Sequence, residues 1–153
     1  MAMDLEGVKA GFPQAVPMVA TLGLQFDELD YQQAVMTMPD QAAYHNHVGG
    51  PHAGAMFTLA ESASGALVLA NFGDRLAEVT PLAVEATIRY LKLAMGPVTA
   101  SARMMRSADE VLNELERGGR PEFLVEIDIT TADGTNTGQM TIVWTLKPNK
   151  RST

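Results

Sequence analysis

A single carboxylate, that of Glu61, stands in a run of apolar and small residues from position 53 to 70. A buried carboxylate without a partner is costly, so Glu61 is either paired in the core or opens onto a pocket that uses its charge. On a helix, residues three, four or seven positions away share its face. These residues are small, aromatic or weakly polar: Gly54, Phe57, Thr58, Ser64, Gly65 and Val68. We therefore predict that Glu61 is a functional group in a pocket.

Hydrogen-bond donors lie just before this carboxylate, at the start of its helix. The helix is predicted to begin near His52 or Ala53, which leaves the first N–H groups, including those of Ala53 and Gly54, without intrahelical acceptors. These groups sit at the positive end of the helix dipole. The small side chains at 53 and 54 let a carbonyl oxygen approach the backbone closely, as an oxyanion site requires.

The loop before the helix carries an amide and all three histidines of the chain. Asn46 has donors and an acceptor that suit it to orient a water or a substrate carbonyl opposite Glu61. Its alternative role is turn formation, because asparagine before a Gly-Gly pair is common in turns. The histidines at 45, 47 and 52 do not have the spacing of a known zinc signature, so no metal site is predicted. His52 is expected to contact substrate or to cap the helix.

The elements that position these groups are one long helix and several strands. The helix is predicted from Ala53 to about Asn71, and its apolar residues cover most faces, so it must be buried nearly all round. Strands are predicted at 22–30, 33–38, 79–93, 98–106, 123–131 and 137–146, and short helices at 5–19 and 108–117. Apolar residues alternate in the last two strands, which indicates an antiparallel meander. The fold class is α+β, a curved antiparallel sheet of about six strands around one buried helix.

Composition indicates one soluble globular domain. The chain has 153 residues, of which 46% are hydrophobic and 19% charged. We expect a single domain over 1–153, with a peripheral N-terminal segment at 1–20 and a tail at 148–153.

The absence of cysteine excludes disulfides and thiolate chemistry. A net charge of −7 argues against nucleic-acid binding. No signal-peptide pattern opens the chain, so a cytoplasmic location is expected, with no membrane partner.

The residues around the helix start resemble the motif of the hotdog thioesterases of the phenylacetyl-CoA and hydroxybenzoyl-CoA types. That motif runs N-x-x-G-x-x-H-G-G before a helical Asp or Glu, and here Asn46, Gly49, residues 52–54 and Glu61 occupy its positions. Residues 88–98 also resemble their strand, turn and strand, and the likeness covers about 20–147. It implies a hotdog fold and hydrolysis of a small aryl or a short- to medium-chain acyl-CoA. Coenzyme A enters as part of the substrate, and no cofactor is implied.

Carried over by position, the resemblance makes Glu61 the nucleophile or general base, the Ala53 N–H the oxyanion donor and Asn46 the orienting amide, with His52 beside them. Alanine stands at 53 where glycine is usual, which keeps the N–H. Glu61 replaces the aspartate common in the phenylacetyl-CoA branch. The resemblance further implies a homodimer, or a dimer of dimers, in which each site takes groups from both chains.

Further residues are predicted to bind the acyl-CoA. The candidates are Gly54, Phe57, Ser64, Gly65, Arg89, Tyr90 and Lys92. Among them, Arg89 and Lys92, together with Arg103 and Arg106 on the next strand, are the cations nearest in sequence for the CoA phosphates.

Two other functions remain open at this stage. The first is a hydroxyacyl-thioester dehydratase or hydratase that uses His47 and Glu61. His47 precedes Glu61 by fourteen residues, which is the spacing of the acyl-carrier-protein dehydratases. Against it, the proline-glycine turn of those enzymes before the helix is absent. The second is a non-catalytic acyl-CoA binding module in which Glu61 is structural.

Overall fold

Six antiparallel strands form one sheet in the computed structural model, which describes residues 3–150. The strands are β1 (Gln25–Leu29), β2 (Gln33–Met38), β3 (Val79–Tyr90), β4 (Val98–Met104), β5 (Glu122–Thr131) and β6 (Asn136–Pro148). Their order across the sheet is β1-β2-β4-β5-β6-β3. The predicted α+β class with six antiparallel strands is confirmed. The predicted tail at 148–153 begins inside β6, and its residues 151–153 lie outside the described part of the chain.

A 20-residue helix, α3 (Ala53–Phe72), packs against β2, β4 and β5. The helix is long and apolar enough to cross a membrane by length and composition alone. Here its apolar side chains instead form the core with the sheet, and Leu59, Leu67 and Phe72 are fully buried. Residues 60, 63, 66 and 70 are alanines, which let the strands approach the helix closely. The predicted helix bounds are confirmed to within one residue.

The inner face of the sheet is built from alternating residues, as predicted. The inward side chains of β5 and β6 are buried, and they are Phe123, Val125, Ile127, Ile129, Met140, Ile142, Trp144 and Leu146. Their neighbours in β5 point outwards and include Glu122, Leu124 and Glu126. A turn at Thr131–Thr135, with Gly134 at a φ of +84°, joins the two strands.

The N-terminal segment contributes to the core. It forms α1 (Leu5–Ala15) and α2 (Pro17–Thr21), which meet at Val16. Helix α1 packs against α3 and β1, and it buries Val8 and Phe12. The Phe12 ring lies 5.7 Å, centroid to centroid, from that of Phe26 in β1. This segment was expected to be peripheral, but its apolar residues at 8, 12 and 16 follow helical i, i+4 spacing and turn one face inwards.

The remaining helix, α4 (Ala108–Glu116), connects β4 to β5. It begins with a capping box in which the Ser107 hydroxyl accepts from the Glu110 N–H and the Glu110 carboxylate accepts from the Ser107 N–H. Val111 is its buried residue. The predicted helix at 108–117 is present and ends at Glu116.

Candidate functional site

The Glu61 carboxylate faces a small apolar pocket near the middle of α3. The pocket has a volume of 180 Å³, and we call it the Glu61 pocket. Its lining residues are Phe12, Val16, Glu61, Ser62, Gly65, Val68, Leu69, Pro81 and Trp144. Within residues 3–150, the Glu61 side chain makes no hydrogen bond or ion pair. Burial raises the pKa of this carboxyl above its ordinary value of 4.5.

Two serines flank the carboxylate, and their hydroxyls have different surroundings. The Ser64 hydroxyl donates to the Glu61 carbonyl oxygen at 2.6 Å and accepts from the Trp144 indole N–H at 3.1 Å. Ser64 therefore fixes the Trp144 wall against the helix. The Ser62 hydroxyl, in contrast, is buried and has no hydrogen-bond partner in the described structure. Ser62 lines the Glu61 pocket, whereas Ser64 does not.

The predicted neighbours of Glu61 divide between the pocket and other places. Gly65 and Val68 line the Glu61 pocket. Phe57 packs against the hydrophobic core, and the Thr58 hydroxyl donates to the Gly54 carbonyl oxygen at 3.0 Å. The pocket thus extends from Glu61 towards the C-terminal end of α3, because α1 and Trp144 cover the helix there.

A second concavity, which we call the helix-start cleft, lies where α3 begins. It has a volume of 370 Å³ and is lined by Asn46, Pro51, Ala53, Met56, Tyr90, Leu91, Lys92, Leu93 and Ala94. The Tyr90 hydroxyl donates to the Ala53 carbonyl oxygen at 2.8 Å and so ties the end of β3 to the first turn of α3. Within the described chain, the Ala53 N–H has no protein acceptor.

His52 caps the helix through its side chain. Its Nδ1 accepts from the Gly54 N–H at 2.9 Å, and its carbonyl oxygen accepts from the Met56 N–H at 3.0 Å. Neither the Ala53 nor the Gly54 N–H has an intrahelical acceptor, as predicted, but the expectation that both could bind an oxyanion needs correction. The imidazole occupies the Gly54 N–H, and the Ala53 N–H remains for this role.

The Asn46 side chain is engaged in its own loop. Its carbonyl oxygen accepts from the Val48 N–H at 3.0 Å and from the Gly50 N–H at 3.1 Å. Its amide nitrogen donates to the Pro51 carbonyl oxygen over a longer 3.4 Å, and Asn46 also lines the helix-start cleft. The oxygen thus shapes the loop, and the amide N–H groups are the part of the side chain suited to a ligand.

The other two histidines lie apart from Glu61. His45 Nε2 pairs with the Asp40 carboxylate at 2.7 Å. His47 is exposed, and it lines neither the Glu61 pocket nor the helix-start cleft. Across residues 3–150, no group of three or more His, Asp or Glu side chains is placed to hold a metal ion.

Glu61 and the Ala53 N–H are too far apart in one chain to act on one carbonyl. Eight residues separate them, and a rise of 1.5 Å per residue places them about 12 Å apart along α3. The expectation that Asn46 stands opposite Glu61 fails within one chain for the same reason. One chain therefore carries two separate candidate half-sites, an acidic apolar pocket and a donor-bearing cleft.

The four cations predicted to cluster fall into two groups. Arg103 makes ion pairs with Glu126 and Asp128, and Arg106 pairs with Glu114. Strand β4 is separated from β3 by β5 and β6, which places these two arginines about 14 Å from the other pair. Arg89 and Lys92 form no ion pair in the described chain, and Lys92 lines the helix-start cleft. These two remain the candidate phosphate-binding residues.

The six-stranded antiparallel sheet packed on one long helix is a hotdog-type fold, as the motif resemblance predicted. Residues 6–146 match the family described as a domain of unknown function, DUF4442, and the chain belongs to that family. A search of curated protein sequences found no match.

Three solved structures of other proteins are similar to this chain. A probable thioesterase of unknown function from Pseudomonas aeruginosa is 28% identical, with 97% of this chain and 99% of that chain covered and a TM-score of 0.84. A second P. aeruginosa thioesterase, solved as a mutant, is 25% identical, with 97% of each chain covered and a TM-score of 0.75. A thioesterase family protein from Silicibacter pomeroyi shares the fold at 22% identity, with 95% and 100% covered and a TM-score of 0.75.

Six residues of the Glu61 pocket were not predicted from the sequence. Phe12 and Val16 come from the N-terminal segment, Ser62 and Leu69 from α3, Pro81 from β3 and Trp144 from β6. The i, i+4 spacing of Val8, Phe12 and Val16 was the available signal that this segment buries a face. It gave no indication that the buried face would lie against Glu61.

Proposed function

We propose that this protein is an acyl-CoA thioesterase in which Glu61 is the nucleophile or general base and the Ala53 N–H binds the thioester carbonyl oxygen. The observation that carries this proposal is the Glu61 carboxylate, which lies unpartnered in an apolar pocket within the described chain. Such a carboxylate is costly for stability, and catalysis is the use that explains it. The likeness to thioesterases at 25% and 28% identity supports the same reaction class.

The proposal requires two copies of the chain. Because about 12 Å of helix separates Glu61 from the Ala53 N–H in one chain, the site would combine Glu61 of one subunit with Ala53 of the partner subunit. A homodimer with two-fold symmetry would form two such sites. Pairing of two dimers would leave this arrangement unchanged.

The two edges of the sheet favour β3 as the dimer contact. β1 has five residues, and its register break leaves Asp27 outside the ladder. The Asp27 carboxylate accepts a hydrogen bond from the Thr37 hydroxyl. Charge and a bulge protect such an edge from pairing. β3 has twelve residues, and its register break leaves Val84 outside the ladder. Val84 is 50% exposed. Leu82 beside it is 40% exposed. An exposed apolar edge of this length fits a second copy.

The proposed reaction breaks the bond between the acyl carbon and the CoA sulfur. The Ala53 N–H donates to the carbonyl oxygen as negative charge develops on it. Glu61 either attacks the carbonyl carbon, which gives a mixed anhydride that water then hydrolyses, or removes a proton from a water that attacks it. In both routes the CoA thiolate leaves and takes up a proton, and water supplies the second oxygen of the product acid. Arg89 and Lys92 would face the CoA phosphates.

The test is hydrolysis of a panel of acyl-CoAs by the wild type and by Glu61→Gln, followed by thiol release. Glutamine keeps the shape but not the basicity, so kcat/KM is expected to fall by about a hundredfold to ten-thousandfold. Size-exclusion chromatography and circular dichroism should show the same fold and oligomer in both proteins. An unchanged rate in the variant would leave a binding module as the function, and enoyl product from hydroxyacyl thioesters would indicate a dehydratase.

A further inference from the structure

The walls of the Glu61 pocket come from three parts of the chain. Helix α3 supplies Glu61 and Gly65, β6 supplies Trp144, and the N-terminal segment supplies Phe12 and Val16. Phe12 is only 3% exposed, and its contact with the Phe26 ring holds it against β1. The N-terminal helix is therefore a fixed wall of this pocket.

The contents of the pocket are constrained by its volume and by its polar groups. A cavity of about 150 Å³ lined by apolar side chains binds benzene, and the Glu61 pocket has 180 Å³. Its polar side chains in the described structure are those of Glu61 and Ser62 alone. Ser62 is 2% exposed, and its hydroxyl lacks a partner among the described residues. Buried hydroxyls are nearly always bonded, so this one is an unpaired polar group in the wall of the pocket.

Gly65 creates the space between the walls. A Cβ atom built at Gly65 would lie 3.7 Å from the Trp144 ring and 3.9 Å from the Phe12 ring. These are ordinary van der Waals distances, so an alanine would fit without strain and would fill part of the pocket. Glycine in the interior of a helix lowers its stability relative to alanine, so its presence here is explained by the space that it leaves.

We propose that Phe12 and Gly65 determine the size of the acyl group, and that the Glu61 pocket accepts one ring or a chain of about six carbon atoms. The inference rests on the proposed thioesterase function and adds to it the substrate class and two specificity-determining residues. Phe12 closes the pocket from the N-terminal helix, and Gly65 leaves room for the acyl group beside Glu61.

The experiment compares three variants on a series of straight-chain acyl-CoAs from acetyl to dodecanoyl, with kcat/KM measured by thiol release. Gly65→Ala should lower the ratio of hexanoyl-CoA to butanoyl-CoA turnover roughly tenfold. Phe12→Leu shortens the opposite wall, so the ratio of octanoyl-CoA to hexanoyl-CoA should rise roughly tenfold. The control is Gly11→Ala, because Gly11 lies in α1 and, apart from its chain neighbours and its own helix backbone, no heavy atom of residues 3–150 lies within 4 Å of an added Cβ. It should leave every ratio unchanged.

The melting temperatures of the variants distinguish a change in the pocket from damage to the fold. Both glycine-to-alanine variants should raise the melting temperature by about 2–4 °C, so a loss of hexanoyl-CoA turnover in Gly65→Ala alone cannot come from unfolding. Opposite shifts in Gly65→Ala and Phe12→Leu would support the proposal. Identical chain-length profiles in all four proteins, or a wild-type preference for dodecanoyl-CoA, would overturn it. A wild type that hydrolyses no acyl-CoA of the series would instead overturn the proposed function.

Discussion

The start and the middle of helix α3 carry the two half-sites, and they differ in almost every physical property. At the start, Ala53 is exposed, its N–H has no acceptor among residues 3–150, and His52 and Tyr90 hold the first turn in place. In the middle, Glu61 is partly buried in an apolar pocket. The start offers a hydrogen-bond donor in an open cleft, whereas the middle offers a carboxylate whose pKa is raised by burial.

This difference shows how one helix can serve two sites. A helix can offer a backbone N–H to an oxyanion only at its start, because intrahelical bonds occupy the later N–H groups. A carboxylate of raised pKa needs burial, which only the covered part of the helix supplies. The two requirements exclude each other at one position, and a two-fold dimer is the simplest way to bring both to one substrate.

Ala53→Pro should have the largest effect of the variants at the helix start. Proline removes the N–H, and it is well tolerated at the first position of a helix. His52 has φ −63° and ψ 140°, a conformation that a following proline favours. We expect kcat/KM to fall by about a hundredfold to a thousandfold while the circular dichroism spectrum stays the same. Retention of the wild-type rate would remove the Ala53 N–H from the mechanism.

A mixture of two inactive variants tests whether each site spans two subunits. Glu61→Gln and Ala53→Pro chains, refolded together in equal amounts, should give heterodimers with one intact site each. Random pairing predicts about a quarter of the wild-type activity. Each variant refolded alone is the control. No recovery in heterodimers isolated by affinity tags would show that the two groups do not combine across the dimer.

Asn46→Asp separates the two roles of the loop amide. Aspartate keeps the oxygen that accepts from the Val48 and Gly50 N–H groups, but it lacks the amide donors. If the donors orient a reacting group, kcat/KM falls roughly a hundredfold with little change in stability. Asn46→Ala is the comparison, because it also removes the two loop bonds and should lower the free energy of unfolding by about 1–3 kcal/mol. Full activity in Asn46→Asp would assign Asn46 to the loop alone.

Glu61→Gln should change the pH dependence of stability as well as the rate. Burial raises the pKa of Glu61 in the folded protein above 4.5, so folding favours the protonated form. The wild type therefore loses stability as the pH rises from 4.5 through the raised pKa, and the glutamine variant does not. The variant should melt at a higher temperature at pH 7, and the difference should shrink at acidic pH. Equal melting curves at both pH values would contradict the assigned burial.

Tyr90→Phe should have the smallest effect, because it keeps the ring that lines the helix-start cleft and removes only the hydroxyl. It removes the bond from the Tyr90 hydroxyl to the Ala53 carbonyl oxygen, which costs about 1 kcal/mol of stability. We expect kcat/KM to fall by less than tenfold, roughly what a bond of that strength can contribute. Tyr31→Phe, which removes an equivalent bond to the Met3 carbonyl oxygen, is the control and should leave the rate unchanged.

The fold was predictable from local patterns. Apolar residues alternate in β5 and β6 and run continuously along α3. These patterns correctly indicated the strands, the buried helix and the core between them, because periodicity shows which faces meet the core. The observed bounds of an element differ from the predicted ones where tertiary contacts outweigh the local sequence pattern. The expected strand at 22–30 begins only at Gln25, since Leu22 ends α2 and Gly23 turns the chain at a φ of +63°.

The sequence by itself determined the two chemical groups, Glu61 and the Ala53 N–H, and the helix that carries both. Helix periodicity also correctly placed Gly65 and Val68 beside the carboxylate. Only the tertiary structure decided that Phe12 closes the pocket, that His52 occupies the Gly54 N–H, and that Arg103 and Arg106 are already paired. The reason is that each of these depends on side chains from distant elements or on a particular rotamer, neither of which residue spacing specifies.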